Sequence, residues 1–404
     1  MTPKASGVDE NLEVSFIPME AVSERGALDL SQTARVRDIG AGYTFFAEND
    51  LTVAKITPCF ENGKGAIMRG LRNGFGFGTT EFHVIRAGKE ACPAYLYWLT
   101  QSTPFRALGE ASMKGSAGQK GVPASFIENY PMSWPAPSEQ ERIAQFLDAE
   151  TARIDGLILS KERMLELLRE RREAIIHRAV TRGLDPSGPM MNTGLPWMPE
   201  IPSHWQLSPL RYLLRERLMY GANEPGTDLV DGDIRFVRIT DIDENGQLRN
   251  ETIKTLPADI AEPYLLDAGD LLLARSGATV GKVFRYSESW GPCCFAGYLI
   301  RTRLNKKKLD EKFGHLFLSS PAYWQWVSAT IVQSTIQNIS ADRYNQIMIP
   351  VPSLEEQEKL VSIAAKAISV ESMAASQVRE SIKLLKELRA ATITTYVTGQ
   401  RRLD

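Results

Sequence analysis

Two stretches of this chain carry side chains suited to reading the edges and phosphates of a nucleic acid, and the stretches are related. In the later one, Arg275-Ser-Gly-Ala-Thr-Val-Gly-Lys282 is followed by Gln333-Ser-Thr-Ile-Gln-Asn338, with Arg343 close behind. In the earlier one, Lys55-Ile-Thr57, Asn62-Gly-Lys64 and Lys114-Gly-Ser-Ala-Gly-Gln-Lys120 supply the same residue types. Arg and Lys suit guanine edges and phosphate oxygens, Gln and Asn suit adenine edges, and Ser and Thr pair with either. The intervening glycines let backbone amides come close. The candidate DNA contacts are therefore Lys55, Thr57, Asn62, Lys64, Lys114, Ser116, Gln119 and Lys120 in the first set. In the second they are Arg275, Ser276, Thr279, Lys282, Gln333, Ser334, Thr335, Gln337, Asn338 and Arg343. Polar, glycine-rich loops are common without any such role. Equivalent placement in two copies is what raises these above that background.

Enzymatic motifs are missing. Gly277-Ala-Thr-Val-Gly-Lys282 resembles a phosphate loop, but three residues separate its glycines where four are needed. Val283 also stands where Ser or Thr would hold magnesium. Gly74-Phe-Gly-Phe-Gly78 lacks the long helix and ribose-binding acid of a dinucleotide site, and reads as a turn or bulge. Neither Asn-Pro-Pro-Tyr nor Asp-Pro-Pro-Tyr, used by adenine methyltransferases beside the flipped base, occurs. The four histidines are scattered, and His83, in a strand-like run, reads as structural. Cys59, Cys92, Cys293 and Cys294 have neither zinc spacing nor the pattern of a secreted disulfide framework, so a reduced, cytoplasmic protein is expected. No apolar run approaches 18 residues, so no membrane span or signal peptide is expected. No catalytic or metal-ligating residue is assigned.

The elements that must position the two loop sets come in duplicate. Pro135-Ala-Pro-Ser-Glu-Gln-Glu-Arg-Ile143 recurs as Pro350-Val-Pro-Ser-Leu-Glu-Glu-Gln-Glu-Lys-Leu360. From Glu139 and Glu356 onward the halves run without a gap, 217 residues apart. Upstream, Asp50-Leu-Thr-Val-Ala-Lys55 matches Asp270-Leu-Leu-Leu-Ala-Arg275, Gly63-Lys64 matches Gly281-Lys282, and Gln119-Lys120 falls on Gln337-Asn338. Pro93-Ala-Tyr95 and Pro321-Ala-Tyr323 look alike but sit 228 apart, a chance match. Nearly constant offsets of 217 to 220 across a whole half signal an internal repeat. Gly194 to Trp205 opens the second half; the first has only fifteen residues before Phe16, the match of Phe236, so either the first repeat is N-terminally shortened or its true start lies upstream.

Ser138, with Glu141 three residues on, reads as the capping box of a long helix. Leu147, Ile154, Ile158, Leu165, Leu168 and Ile175 recur at helical spacing until Gly183 and Pro186 stop it. At 1.5 Å per residue such a helix is about 65 Å long and must bury its stripe. Leu360, Val378, Leu385 and Leu388 form a similar stripe, so the two helices are expected to pair as an antiparallel coiled coil. The segments before each helix read as short strands with a few helices, and Leu184–Pro202 as a linker. The expected fold is α+β: a first mixed domain over 1–137, a helix and linker over 138–190, a second mixed domain over 191–352, and a second helix over 353–404.

The net charge of −2 argues mildly against a free-standing DNA binder, since phosphate neutralisation dominates such affinity. Two similar domains could still take the two halves of a split site. The order of domain, helix opening with Pro-x-Pro and a Gln a few residues on, domain and second such helix is carried by Pro135/Gln140 and Pro350/Gln357. With Ala-Arg-Ser-Gly-x-x-x-Gly-Lys-Val and Leu-Pro-x-Met-Pro-x-x-Pro-x-x-Trp, it resembles the specificity subunit of type I restriction–modification systems along essentially the whole chain. The resemblance implies a non-catalytic chain that reads an asymmetric bipartite sequence in double-stranded DNA, one half per target-recognition domain. It implies partners: two methyltransferase subunits that methylate adenine with S-adenosylmethionine, and restriction subunits that translocate with ATP and Mg. No cofactor is expected on this chain itself, and no membrane partner. The helices would dock the methyltransferases and set the spacer between half-sites. Two other readings stay open on the residues: a helical scaffold without a DNA role, and the recognition module of a fused methyltransferase or nuclease.

Overall fold

The structure is a computed structural model that describes residues 9–39, 42–115, 120–132, 134–185, 187–243, 246, 248–332 and 338–403. Of the candidate contacts, Ser116, Gln119, Gln333, Ser334, Thr335 and Gln337 lie outside the described residues. The chain forms two units, Met1–Arg163 with Val378–Asp404, and Met164–Gln377. Both mix strands and helices, the α+β class expected.

In the first unit, β1 (Glu13–Ile17), β2 (Thr33–Arg35), β3 (Thr44–Ala47), β4 (Leu51–Ala54), β5 (Gly65–Ile67), β6 (Phe75–Gly78) and β7 (Phe82–Ile85) make two sheets, ordered β2-β1-β6-β3 and β5-β4-β7. Helices α1 (Pro93–Gln101), α2 (Thr103–Ser112) and α3 (Ala124–Glu128) follow, then the long α4 (Pro137–Thr181). The Gly74–Gly78 cluster is not simply a turn: only Gly74 sits in one (φ 78°), and the rest is strand β6, parallel to β1. A Cβ on Gly76 or Gly78 would lie 2.6 or 2.4 Å from the Ser15 or Ile17 carbonyl oxygen, so the glycines permit the close pairing.

The second unit opens with β8 (Met190–Leu195), β9 (Met198–Pro202), β10 (Gln206–Pro209) and β11 (Met219–Tyr220). It continues through β12 (Ile234–Val237), β13 (Thr255–Leu256), α5 (Ala258–Ala261), β14 (Leu271–Ala274), β15 (Val283–Arg285), β16 (Cys293–Phe295) and β17 (Leu299–Thr302). Then come α6 (Glu311–Phe317), α7 (Pro321–Val332), α8 (Ala341–Asn345), β18 (Met348–Val351) and the long α9 (Leu354–Val397). Much of the supposed linker Leu184–Pro202 is therefore the β8–β9 hairpin. Gly194 supplies its positive φ of 72°, and Met198 and Ile201 are fully buried, which a proline- and glycine-based reading of the segment misses.

The repeat is legible strand by strand. β12 runs parallel to β16 as β1 does to β6, and β14 lies between β15 and β17 as β4 lies between β5 and β7. Pro93-Ala-Tyr95 begins the first helix after the sheets and Pro321-Ala-Tyr323 the second, so their likeness is indeed fortuitous. Before β4 and β14 stands a buried aspartate. The carboxylates of Asp50 and Asp270 each accept a backbone N–H three residues earlier, at 2.8 Å from Ala47 and Asp267. Each also takes a two-pronged guanidinium, from Arg86 at 2.7 and 2.7 Å and from Arg303 at 2.8 and 2.8 Å. The fixed fork of arginine is what matches such a carboxylate.

Each long helix is anchored by a buried glutamine. Gln140 Oε1 accepts from the Cys92 amide at 2.8 Å, and its Nε2 donates to the Glu90 and Pro135 carbonyls. Gln357 repeats this with the Asp310 amide and the Lys308 and Pro352 carbonyls. The partner of Pro135 is thus Pro352, not Pro350. Ser138 is not the cap: α4 starts at Pro137, whose fixed φ suits the first helical position, whereas Ser353 does cap α9 through the Glu356 amide.

Within each unit the long helices run antiparallel. In the first, Leu147, Ile154 and Ile158 are buried, Phe146 packs on Tyr396 (ring centroids 4.5 Å), and Arg389 meets Asp155 at 3.2 Å. In the second, Ile176, Ala179 and Val180 join Leu360 and Ala364 in the core, and Arg171 reaches the buried Glu371 at 3.0 Å. Val378 is buried; Leu165, Leu168, Ile175 and Leu385 are half-buried. Leu388 departs from the expected stripe and is 47% exposed. The buried face runs Val378, Ile382, Leu385, Arg389, Ile393, and Leu388 lies one residue, about 100°, off that line.

Candidate nucleic-acid interface

Both loop sets hang from the same backbone frame. At the end of β4 the Lys55 amide donates to Glu81 and its carbonyl accepts from Val122; at the end of β14 the Arg275 amide donates to Tyr298 and its carbonyl accepts from Ile339. The Ala54 amide donates to the Lys64 carbonyl at 3.0 Å and the Ala274 amide to the Lys282 carbonyl at 2.8 Å, closing each loop. Gly63 and Gly281, at φ 82° and 86°, turn the chain at the same place. A side chain caps each glycine carbonyl: Gln101 Nε2 at Gly63 (3.1 Å) and the Tyr323 hydroxyl at Gly281 (2.7 Å). Tyr344 adds a bond to the Ala274 carbonyl, and burial raises both tyrosine pKa values. The loops are therefore rigid at their bases.

Side chains divide into those spent on the frame and those presented. In the first unit, Thr57 Oγ1 donates to the Lys120 carbonyl (3.0 Å) and Lys64 Nζ to the Met19 carbonyl (3.2 Å). Asn62, Lys114 and Lys120 are exposed and Lys55 is half-buried. In the second, Lys282 and Arg343 are exposed, and Ser276, Thr279 and Asn338 are half-buried. Arg275 is held rather than loose: its guanidinium lies 4.6 Å from the Tyr220 ring centroid and Nε is 3.4 Å from Asn338 Oδ1. Residues 277–279 form a short 3-10 turn, and Lys282 precedes a strand, not the helix a phosphate loop requires.

Three contributors went unread in the sequence. Tyr220 stacks on Arg275 and accepts the Ala341 amide at its hydroxyl (2.9 Å). Tyr298, 66% exposed, flanks the same arginine through its carbonyl. Arg285 joins Lys282, Arg172 and His315 around a hollow of about 360 Å³. Burial, with Arg285 and Arg172 nearby, pushes His315 down to about 4, so it stays neutral beside these cations. An aromatic directly before a strand, as Tyr298 is before β17, was the one available signal. Among the described residues no group of acidic, histidine or cysteine side chains could hold a metal, the four cysteines are free thiols, and no helix is long and apolar enough to cross a membrane.

Residues 222–379 match the family model of the type I restriction modification DNA specificity domain, which defines the class of the second unit. The chain is 45% identical over 146 residues to the type I restriction enzyme EcoEI specificity subunit of Escherichia coli, covering 35% of this chain and 24% of that relative. It is 23% identical over 327 residues to the EcoBI specificity subunit of Escherichia coli, covering 78% and 66%. The matched stretch thus spans about a quarter of the EcoEI relative. A solved structure on complex assembly and conformational transition of the type I R-M system superposes with a TM-score of 0.78 at 17% identity, covering 97% of this chain and 93% of that one. The HsdS subunit from Thermoanaerobacter tengcongensis gives 0.53 at 16%, covering 97% and 92%. Residues 222–379 thus carry a type I restriction modification DNA specificity domain, and the chain shares the fold of these solved structures.

Proposed function

We propose that this chain is the DNA-reading, non-catalytic subunit of a type I restriction–modification complex. Each unit would contact one half of a bipartite site, and the chain would dock methyltransferase subunits that modify adenine. The observation that carries the reading is the duplicated frame. Two loop sets of Arg, Lys, Asn, Ser and Thr sit on identical backbone anchors, yet their side chains differ, as two different half-sites require. The modest net charge fits a chain that shares the duplex with partners. S-adenosylmethionine, ATP and Mg would belong to those partners, with restriction subunits among them.

The test is DNA binding by the chain assembled with a type I methyltransferase subunit, across a salt series. We expect salt-sensitive, partner-dependent binding. Arg275→Ala should cost about 1–3 kcal/mol on one half-site if the side chain meets a base, and Lys282→Ala should weaken all sequences alike if it meets phosphate. Unchanged affinity in both variants would remove the loop assignment, and absence of DNA binding would favour a scaffold.

A further inference from the structure

Each unit carries a hollow at the same place in the repeat, and the two differ in how their charges are answered. Gly26 and Gly246 line them, at φ 80° and 75°, in turns closed by equivalent strand-like pairings, Val22 with Leu28 and Ile242 with Leu248. Ile67 and Arg285 hold the same strand register, opposite Leu51 and Leu271. At the 217-residue offset Trp98 matches His315, and Arg389 of α9 matches Arg172 of α4. Each of these four pairs lines its unit's hollow, of about 500 Å³ in the first and 360 Å³ in the second.

In the first hollow Arg25, Arg69 and Arg389 face two acids. Asp155 meets Arg389 at 3.2 Å and Arg25 at 3.8 Å, and Asp148 accepts the Trp98 indole N–H at 2.8 Å. The second half has Ala365 and Ser372 at the positions of those two acids, and Arg285 where the first has Ile67. Its hollow gathers Lys282, Arg285 and Arg172, and among the described residues none of the three forms an ion pair. Glu371, beside Ser372, takes Arg171 at 3.0 Å rather than Arg172. Asp243 is the one acid of that lining among the described residues. Both arginines lie close enough to His315 to help hold it neutral, so it adds no charge of its own.

We propose that the second hollow is a phosphate-binding site that takes a backbone phosphodiester of the duplex, with Arg285 and Arg172 joining Lys282 around the anion. The proposal rests on the DNA-reading function given above. Lys282 ties the site to that function, because it ends the loop that begins at Arg275, and a duplex lying on the loop reaches the hollow. Three cations around a partly enclosed space focus a positive potential that an anion relieves. Guanidinium groups offer paired donors to phosphate oxygens. Such a contact is blind to sequence and fixes the register of the second unit on its half-site. The phosphate sits between the recognition loop and α4, whereas the first unit's hollow spends its helix arginine on Asp155.

The experiment measures duplex affinity across a salt series for the full chain assembled with a type I methyltransferase subunit. We expect the double variant Arg172→Gln, Arg285→Ile to bind matched and scrambled duplexes several-fold more weakly. The slope of log affinity against log salt should fall by about 1. Arg285→Ile installs the residue that the first unit has in the same strand register, and Arg285→Lys should keep most of the slope. Arg172 is exposed on α4, so Arg172→Gln alone should lower the slope in part even if Arg285→Ile disturbs the fold. An unchanged slope, with Arg275→Ala still weakening one half-site, would overturn the site and leave DNA reading standing. Weakening confined to one sequence would put a base in place of the phosphate and overturn it as well. Loss of methyltransferase assembly, with duplex affinity of the assembled complex unchanged, would assign the cations to an acidic surface of the partner instead. Binding of inorganic phosphate that the variant loses, with the duplex slope unchanged, would make the hollow a site for a free small anion. No duplex binding by the parent complex would remove the reading and the site together.

Discussion

The Asp50–Arg86 and Asp270–Arg303 pairs share one geometry in two surroundings. Both aspartates are buried and both arginines grip them with two bonds, but Arg86 is half in water while Arg303 is 13% exposed and also meets Glu216 and Asp267 at 3.1 Å. The difference comes from the segment that crosses the second unit and brings Glu216 with it. A repeat can preserve a buried polar motif while the energetic weight of that motif changes with what covers it. Removing one partner of a buried pair leaves a charge uncompensated, whereas a half-exposed arginine can return to solvent.

This contrast sets the largest expected effect. Asp270→Ala should cost about 3 kcal/mol, because Arg303, held in place by Glu216 and Asp267, loses both bonds to its most buried partner and the Asp267 amide loses its acceptor. Asp50→Ala should cost less, about 1–3 kcal/mol, chiefly the lost charged hydrogen bonds and the unpartnered Ala47 amide. Hydrogen exchange at β14 and β4 in the two variants reads each unit separately. Equal losses would break the distinction.

A smaller, pH-dependent effect should appear in the second unit alone. His315 occupies the position of Trp98, whose indole donates to Asp148 at 2.8 Å. Burial and the cations Arg285 and Arg172 lower the His315 pKa to about 4, while Asp243 lines the same hollow. A depressed histidine pKa means the folded state binds the proton less well than the unfolded chain. Its contribution to stability is therefore complete above about pH 6.5 and lost as pH falls toward 4. We expect urea midpoints of the second unit to decline over that window, and His315→Phe to flatten the decline. A variant as acid-sensitive as the parent would show that other groups carry it.

The architecture was legible in the sequence because a repeat exposes itself twice. The 217-residue offset, the glutamine at each helix start and the Asp–Leu–x–x–Ala strands needed no coordinates. What resisted reading were features set by tertiary neighbours. Gly76 and Gly78 look like a turn until Ser15 and Ile17 come alongside, and Met198 and Ile201 look like linker until they enter a core. Leu388 fits a helical stripe by type, yet Arg389, with aliphatic carbons and an ion pair to Asp155, takes the inward place. At the candidate interface the polar residues could be nominated by type. Which were consumed by the frame, as Thr57 and Lys64 are, depended on carbonyls distant in sequence. The tyrosines that hold and flank Arg275 were missed because aromatic residues near strands are usually core.

The most direct measurement is methylation-aware sequencing of cells carrying this chain and a type I methyltransferase subunit, repeated with a chain altered at Arg275 and Lys282. We expect a single bipartite motif with adenine methylated in each half, and the altered chain to relax or lose one half while the other stays unchanged. Absence of a bipartite motif, or simultaneous change of both halves by substitutions confined to one unit, would contradict the reading of one half-site per unit.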